Sequence, residues 1–263
     1  MSAALGALVL ALAYLFKRFA SHASASELDF LLGPTAALVR AVTGHEFIAE
    51  SGAGYVSREA HLIIAPACSG ANFAIVAFTS LGICFLGRFS SLRARLIWLL
   101  AAAVVTYGAT IFANAARISL ALGAERSDLF APWLSDAAVH RAVGVSVYLG
   151  ALLGLHGAVT HVLGQRRFEA GLPLACYVLV TLATPLLGGA YLAPKFISHA
   201  AVVLGATSVT GVVLWLLRGR VTRRVEAGRD DAGVPRRVAP AERGGERSLP
   251  RQGNAALVPR PVA

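Results

Sequence analysis

Apolar residues fall in long runs along this chain, separated by short polar or basic stretches. The runs predict seven helices, over roughly 3–16, 28–43, 67–87, 96–116, 142–163, 172–190 and 196–217. A run of roughly 17–25 apolar residues is long enough to cross a hydrocarbon core about 30 Å thick, and the first two runs are the shortest. Between the second and third runs the period changes. Val56, Ala60, Leu62 and Ile64 share one parity with Arg58, while Ser57, Glu59 and His61 share the other. That near-alternation predicts a strand. Phe47–Glu50, the loop Ser51-Gly52-Ala53-Gly54 and Tyr55–Ile64 together predict a β-hairpin. The expected fold is an all-α polytopic membrane protein, with about seven transmembrane helices and a short extracytoplasmic hairpin.

Composition agrees with lipid as the solvent. Hydrophobic residues make up 56% of the chain and charged residues only 14%, against about 25% charged in soluble domains. The net charge of +10 does not point to nucleic acid, because the basic residues gather at the ends of apolar runs and in the C-terminal tail. Their distribution predicts orientation instead. One set of connections carries eleven: Lys17, Arg18, Arg88, Arg93, Arg95, Arg166, Arg167, Arg218, Arg220, Arg223 and Arg224. The other carries six: Arg40, Arg58, Arg117, Arg126, Arg141 and Lys195. The positive-inside rule puts the first set in the cytoplasm, the N-terminus outside and the tail inside. Segments 44–66, 117–141 and 188–195 are then extracytoplasmic. Ala23-Ser24-Ala25 has the small residues of a leader cleavage site. Lys17 and Arg18 follow the apolar run rather than precede it, so the expectation is a retained span.

Residues 1–224 are thus read as a transmembrane domain and 225–263 as a disordered basic tail, rich in Arg, Gly, Pro and Ala and without apolar periodicity. The tail either lies against anionic headgroups or only helps fix topology.

There are three cysteines. Cys68 opens the third span at the outer side. Cys84 is sixteen residues further along the same helix, about 24 Å away at 1.5 Å per residue. Cys176 is also expected near the inner face. Cys68 therefore has no intramolecular disulfide partner. Cys84 and Cys176 have no polar company in the sequence pattern and read as small apolar fillers.

Cys68 lies in Ala65-Pro66-Ala67-Cys68-Ser69-Gly70. Proline suits the first turn of a helix, so Cys68 is expected near a helix N-terminus, where the dipole favours a thiolate. Gly70 permits close approach of a backbone or a substrate. Ser69 offers a rival hydroxyl, but a thiol ionises more readily and is the stronger nucleophile. Asn114 and Arg117, three residues apart on one helix face, end the fourth span at the same level. Arg117 either snorkels to headgroups or joins Asn114 in a polar pocket. His140, opening the fifth span, is either an interfacial residue or an acid/base, with His199 an outer-level rival. Three helix ends thus bring Cys, Arg and His to one depth, a set suited to acyl transfer.

At these residues the chain resembles the exosortase/archaeosortase family of membrane cysteine transpeptidases. The resemblance covers roughly residues 30–163. It rests on Ala67-Cys68-Ser69-Gly70, Asn114-x-x-Arg117-Ile118 and His140, in that order. The short chain and the hairpin before the cysteine suit a compact variant such as exosortase K. Ala71 stands where a larger apolar residue is common. The resemblance implies Cys68 as nucleophile, Arg117 as electrostatic partner and His140 as acid/base, with Ser69, Gly70 and Asn114 beside the substrate. It implies partners that are exported proteins with a C-terminal sorting tail: a short motif, a transmembrane helix and a basic end. No metal-ligand spacing is present and no cofactor is implied. Two other classes compete: a membrane cysteine hydrolase that releases substrate to water, and a non-enzymatic transporter or assembly factor.

Overall fold

The computed structural model describes residues 2–125, 136–164, 169–183, 186 and 194–231. The chain divides into two units, 1–218 and 219–263. Helices dominate the first: α1 (Ser2–His22), α2 (Asp29–Thr43), α3 (Ala71–Leu86), α4 (Leu92–Glu125), α5 (Asp136–Val162), α6 (Gly171–Val178) and α7 (Pro194–Asp231). Three short strands, β1 (Ile48–Glu50), β2 (Gly54–Ser57) and β3 (Leu62–Ile64), precede a single 3-10 turn, Pro66–Cys68. Of the second unit only 219–231 is described, and it is helical. Helix α7 therefore runs past Val225, and the remainder of the expected tail lies outside the described residues.

Among the described residues, five helical segments are long and apolar enough to cross a membrane: Ala3–His22, Pro66–Leu86, Leu92–Gly123, Ala142–Val162 and Phe196–Leu216. The expected span over 28–43 is not among them, and the expected span over 172–190 lies partly outside the described residues. The second of these includes a shorter apolar helix, Gly171–Leu182, whose last turns widen to π geometry over Leu179–Ala183. The first is α2, whose 15 residues rise only about 22 Å. Pro34 lies inside α2 and has no N–H for the Phe30 carbonyl one turn back. The Tyr107 hydroxyl donates to that carbonyl instead, at 2.9 Å. The helix is thus stitched to α4 at its proline.

Contacts along α1 reverse its expected direction. Leu5 and Val9 pack with Leu86 and Leu99, at the end of α3 and the start of α4. At the other end of α1, the Lys17 ammonium donates to Asn72 Oδ1 at 2.7 Å, one residue into α3. Lys17 therefore sits at the Cys68 end of α3, opposite Arg88. The physical reason is α2: it is too short to return the chain across the membrane, so α1 must finish on the sheet's side. Moving Lys17 and Arg18 across leaves nine basic residues in one set of connections and eight in the other.

The sheet also departs from the expected hairpin. The strand read over 55–64 is broken by a turn at 58–61, where His61 adopts φ 50°. The Ser57 hydroxyl accepts from the Ala60 N–H at 3.2 Å and holds that turn. A single long strand would have only three β1 residues as partner, leaving much of its backbone unpaired. Folding back satisfies those groups and gives the antiparallel order β1-β2-β3. Tyr55 pairs Ile64 and Ser57 pairs Leu62. Leu62 and Ile64 thus share the inner face with Tyr55 and Ser57, and Val56 falls on the other face with Ile63.

The inner face packs on α2 and the distal part of α4. Leu28, Leu31, Leu32, Ala36 and Val39 meet Ile64, Ala115, Ile118 and Leu122 in one buried cluster, with Cys68 at its margin. A second cluster joins Phe73, Val76 and Ala113 to Val145, Leu149, Leu152, Tyr177 and Val203. Between them these two cores fix α3, α4 and α5 around the segment that carries Cys68.

Candidate active site

The Cys68 segment is held by a short chain of local bonds. Pro66 starts the 3-10 turn, the Cys68 N–H donates to Ala65 O at 2.7 Å, and the Ser69 N–H donates to Pro66 O. Gly70 then turns the chain into α3 with φ 76°. A side chain there would also press on α4, since a Cβ would lie 3.1 Å from Thr110 Cγ2 and 3.2 Å from Asn114 Cβ. Gly70 is therefore fixed both by its backbone conformation and by helix contact. Cys68 precedes α3 rather than occupying its first turn, because this glycine intervenes.

Ser69 is buried, and its hydroxyl accepts from the Ala71 N–H at 3.4 Å. It is absent from the residues around the Cys68 pocket. Asn114 is 0% exposed. Its amide donates to the Cys68 carbonyl and accepts from the Tyr148 hydroxyl at 2.9 Å. One side chain of α4 thus ties the cysteine turn to α5, and both ends of the amide are used.

Arg117 is one turn further along α4. Its guanidinium carbon lies 5.5 Å from the centroid of the Tyr148 ring, within cation–π range. Gly144 lies beside it: a Cβ there would meet Arg117 Cδ at 3.5 Å, an ordinary contact. The buried Arg117 Nε has no hydrogen-bond partner among the described residues. A half-buried cation held by a ring face and a glycine, with a donor still free, suits an anionic or developing-anionic group.

Cys68 and Arg117 line one pocket, with Leu62, Ile63, Ile64, Ile118, Ala121 and Leu122. Its walls are otherwise aliphatic. Arg117 has Tyr148 and Gly144 of α5 as neighbours.

His140 belongs to α5, one helical turn before Gly144 and two before Tyr148. Its side chain, like that of His199, lies outside the described residues. The other histidines are elsewhere. His45 is buried beside Glu59, with Nδ1 to Oε2 at 3.2 Å. His156 is buried between helices.

His156 belongs to a second polar cluster that the sequence reading missed. Its Nε2 is 2.6 Å from Ser80 Oγ, and Ser80 Oγ is 4.0 Å from Cys84 Sγ. The Cys84 and Cys176 thiols lie close enough to interact between α3 and α6. Cys84 and Cys176 therefore have polar company, contrary to expectation. The signal was available: Ser80 and Cys84 are four apart on one helix face. Their partners come from α5 and α6, which only packing brings near. Among the described residues no group of three or more His, Cys, Asp or Glu is gathered to hold a metal ion.

Comparison with known proteins gives no relative: no family model, no curated protein and no solved structure matches the chain.

Proposed function

We propose that this protein is a membrane-embedded cysteine peptidase or transpeptidase of the exosortase/archaeosortase kind, with Cys68 as its nucleophile. The observation that carries the reading is the shared pocket of Cys68 and Arg117, two residues 49 positions apart. The Cys68 sulfur attacks the carbonyl carbon of a peptide bond and forms a C–S bond. Arg117 stabilises the charge that builds on sulfur and then on the carbonyl oxygen. His140 takes the thiol proton and returns it to the amine as the C–N bond breaks. A second nucleophile then attacks the thioester and frees Cys68. The substrates are exported proteins whose C-terminal tail ends in a transmembrane helix and basic residues, and the helix presents its boundary peptide at the level of the pocket.

The Cys68 end is assigned to the extracytoplasmic side. Support comes from the short link around Arg88, Arg93 and Arg95, at the opposite ends of α3 and α4, and from Arg166 and Arg167, which follow α5 in the sequence. Short connections weigh most in the positive-inside rule.

The test is processing in the native host. Cys68→Ala should leave tailed exported proteins uncleaved in the inner membrane, and Arg117→Ala should slow cleavage by about a hundredfold or more. Normal processing in the Cys68→Ala strain rejects the reading. Mass spectrometry of the mature C-terminus then separates transfer, which leaves an adduct, from hydrolysis, which leaves a free carboxylate.

A further inference from the structure

The Cys68 pocket has a wall that its proposed chemistry does not explain. Leu62, Ile63 and Ile64 all line it. Successive strand side chains point to opposite faces of a sheet. A pocket that touches three consecutive residues therefore lies along the edge of the strand, not against one face. That edge is open. The order β1-β2-β3 leaves β3 with one neighbour, and among the described residues no backbone group of 62–64 bonds outside the sheet. On such an edge every second residue turns its N–H and C=O outward. Natural sheets blunt free edges with charge, proline or a bulge, whereas β3 is Leu-Ile-Ile, with Ile63 half exposed.

The opposite wall is apolar and helical. Ile118, Ala121 and Leu122 of α4 face the strand across the groove, with Ala121 leaving space between two larger side chains. Cys68 follows β3 by four residues, and Arg117 adjoins Ile118, so the reactive pair belongs to the same groove. A ligand in this groove meets backbone donors and acceptors on one side and aliphatic surface on the other. An acyl chain satisfies only the second. A helical peptide has no free backbone groups for the first. An extended polypeptide satisfies both.

We propose that the open edge of β3 binds a stretch of extended polypeptide as a fourth strand, with alternate small apolar side chains directed at Ile118, Ala121 and Leu122. Main-chain pairing fixes the direction and register of the segment, and the α4 wall selects aliphatic residues at every second position. This deepens the peptidase reading, since the added strand runs beside Cys68, but binding at β3 does not require the thiol to react.

The experiment uses the full chain carrying Cys68→Ala in detergent micelles, with amide hydrogen exchange read over 62–64. The probe is the acetylated, amidated peptide valine-alanine-valine-alanine. A second probe carries N-methyl groups on the two amides of one parity, and a third on the other two. The unmethylated peptide should slow exchange of the outward β3 amides by about tenfold or more at saturation. One methylated peptide should match it and the other should have no effect, because only one parity of amides faces β3. Equal protection by all three peptides means side-chain docking and overturns the proposal, as does no protection by any. Protection by a free fatty acid in place of the peptides also overturns it, in favour of a lipid site. The wild-type chain is then treated with the same peptide bearing a C-terminal chloromethyl ketone. Protection at β3 without alkylation of Cys68 leaves strand addition standing and removes the nucleophile reading, so the two failures are separable.

Discussion

Single residues around Cys68 carry measurable weight. Gly70→Ala places a side chain at φ 76° against Thr110 and Asn114. The left-handed conformation alone costs about 1–2 kcal/mol. The variant is expected to unfold at lower temperature in detergent, with the contact adding to that loss. Asn114→Leu leaves the Cys68 carbonyl and the Tyr148 hydroxyl without their partner. Loss of about 1–3 kcal/mol is expected for unpaired buried groups. The rate of Cys68 alkylation should change with it, because the turn loses its tether to α4. Tyr107→Phe should cost less, about 0.5–1.5 kcal/mol, since the bond it removes from the Phe30 carbonyl facing Pro34 is exposed. Thermal unfolding of each variant against the parent checks all three. Much of this scale could be read from the sequence. Cys68 with Gly70 was legible from the helix start, and Asn114 with Arg117 from three-residue spacing on one helix face. What Asn114 does was not, because its partners Cys68 and Tyr148 lie on two other segments and periodicity carries no information across segments.

Elements are where the sequence pattern and the structure part most. The alternation over 55–64 reads straight through a four-residue turn, so one strand was expected where two form. The clue was Ser57, whose hydroxyl closes the turn, but serine at a strand position is too common to announce it. Between α1 and α2 a local signal is clear: Ser24 and Glu27 form a reciprocal pair. The Ser24 N–H and hydroxyl donate to Glu27 Oε2 at 2.8 and 2.7 Å, and the Glu27 N–H returns to Ser24 Oγ at 3.4 Å. These bonds hold the Glu27 carboxyl below its ordinary value. A depressed carboxylate stabilises the fold above its unfolded pKa and loses that contribution as pH falls through the folded one. Acidification should therefore lower the protection factor of the Ser24 amide, its rate taken against the intrinsic rate at the same pH, and Glu27→Gln should remove that change in protection. The packing of α3 on α6 has its own test. Oxidation of membranes should link Cys84 to Cys176 within one chain, visible as a two-proton mass loss in the peptide pair. Cys84→Ala abolishes the link, and its absence in the parent would contradict the α3–α6 packing.

At the scale of the whole molecule, the reversal of α1 changes what the basic residues say. Eleven against six favoured one side strongly; nine against eight does not. The orientation rests on the short links alone, so it calls for direct measurement. With Cys84→Ala and Cys176→Ala in place, a membrane-impermeant maleimide should label Cys68 in intact spheroplasts and not in sealed inverted vesicles. The opposite pattern would turn the protein over and remove exported proteins as substrates. Composition revealed the membrane at once, because hydrophobic content is a property of the whole chain. The number of crossings was not legible, because α2 and a true span differ by only a few residues in length. That short helix has a consequence of its own. Stitched to α4 at Tyr107, it packs along the stretch of α4 that reaches Leu122, beside the cysteine turn. A helix of that length would fit within one leaflet of a bilayer. Changing the lateral pressure of that leaflet alone should shift the protein's preference among membranes of different curvature.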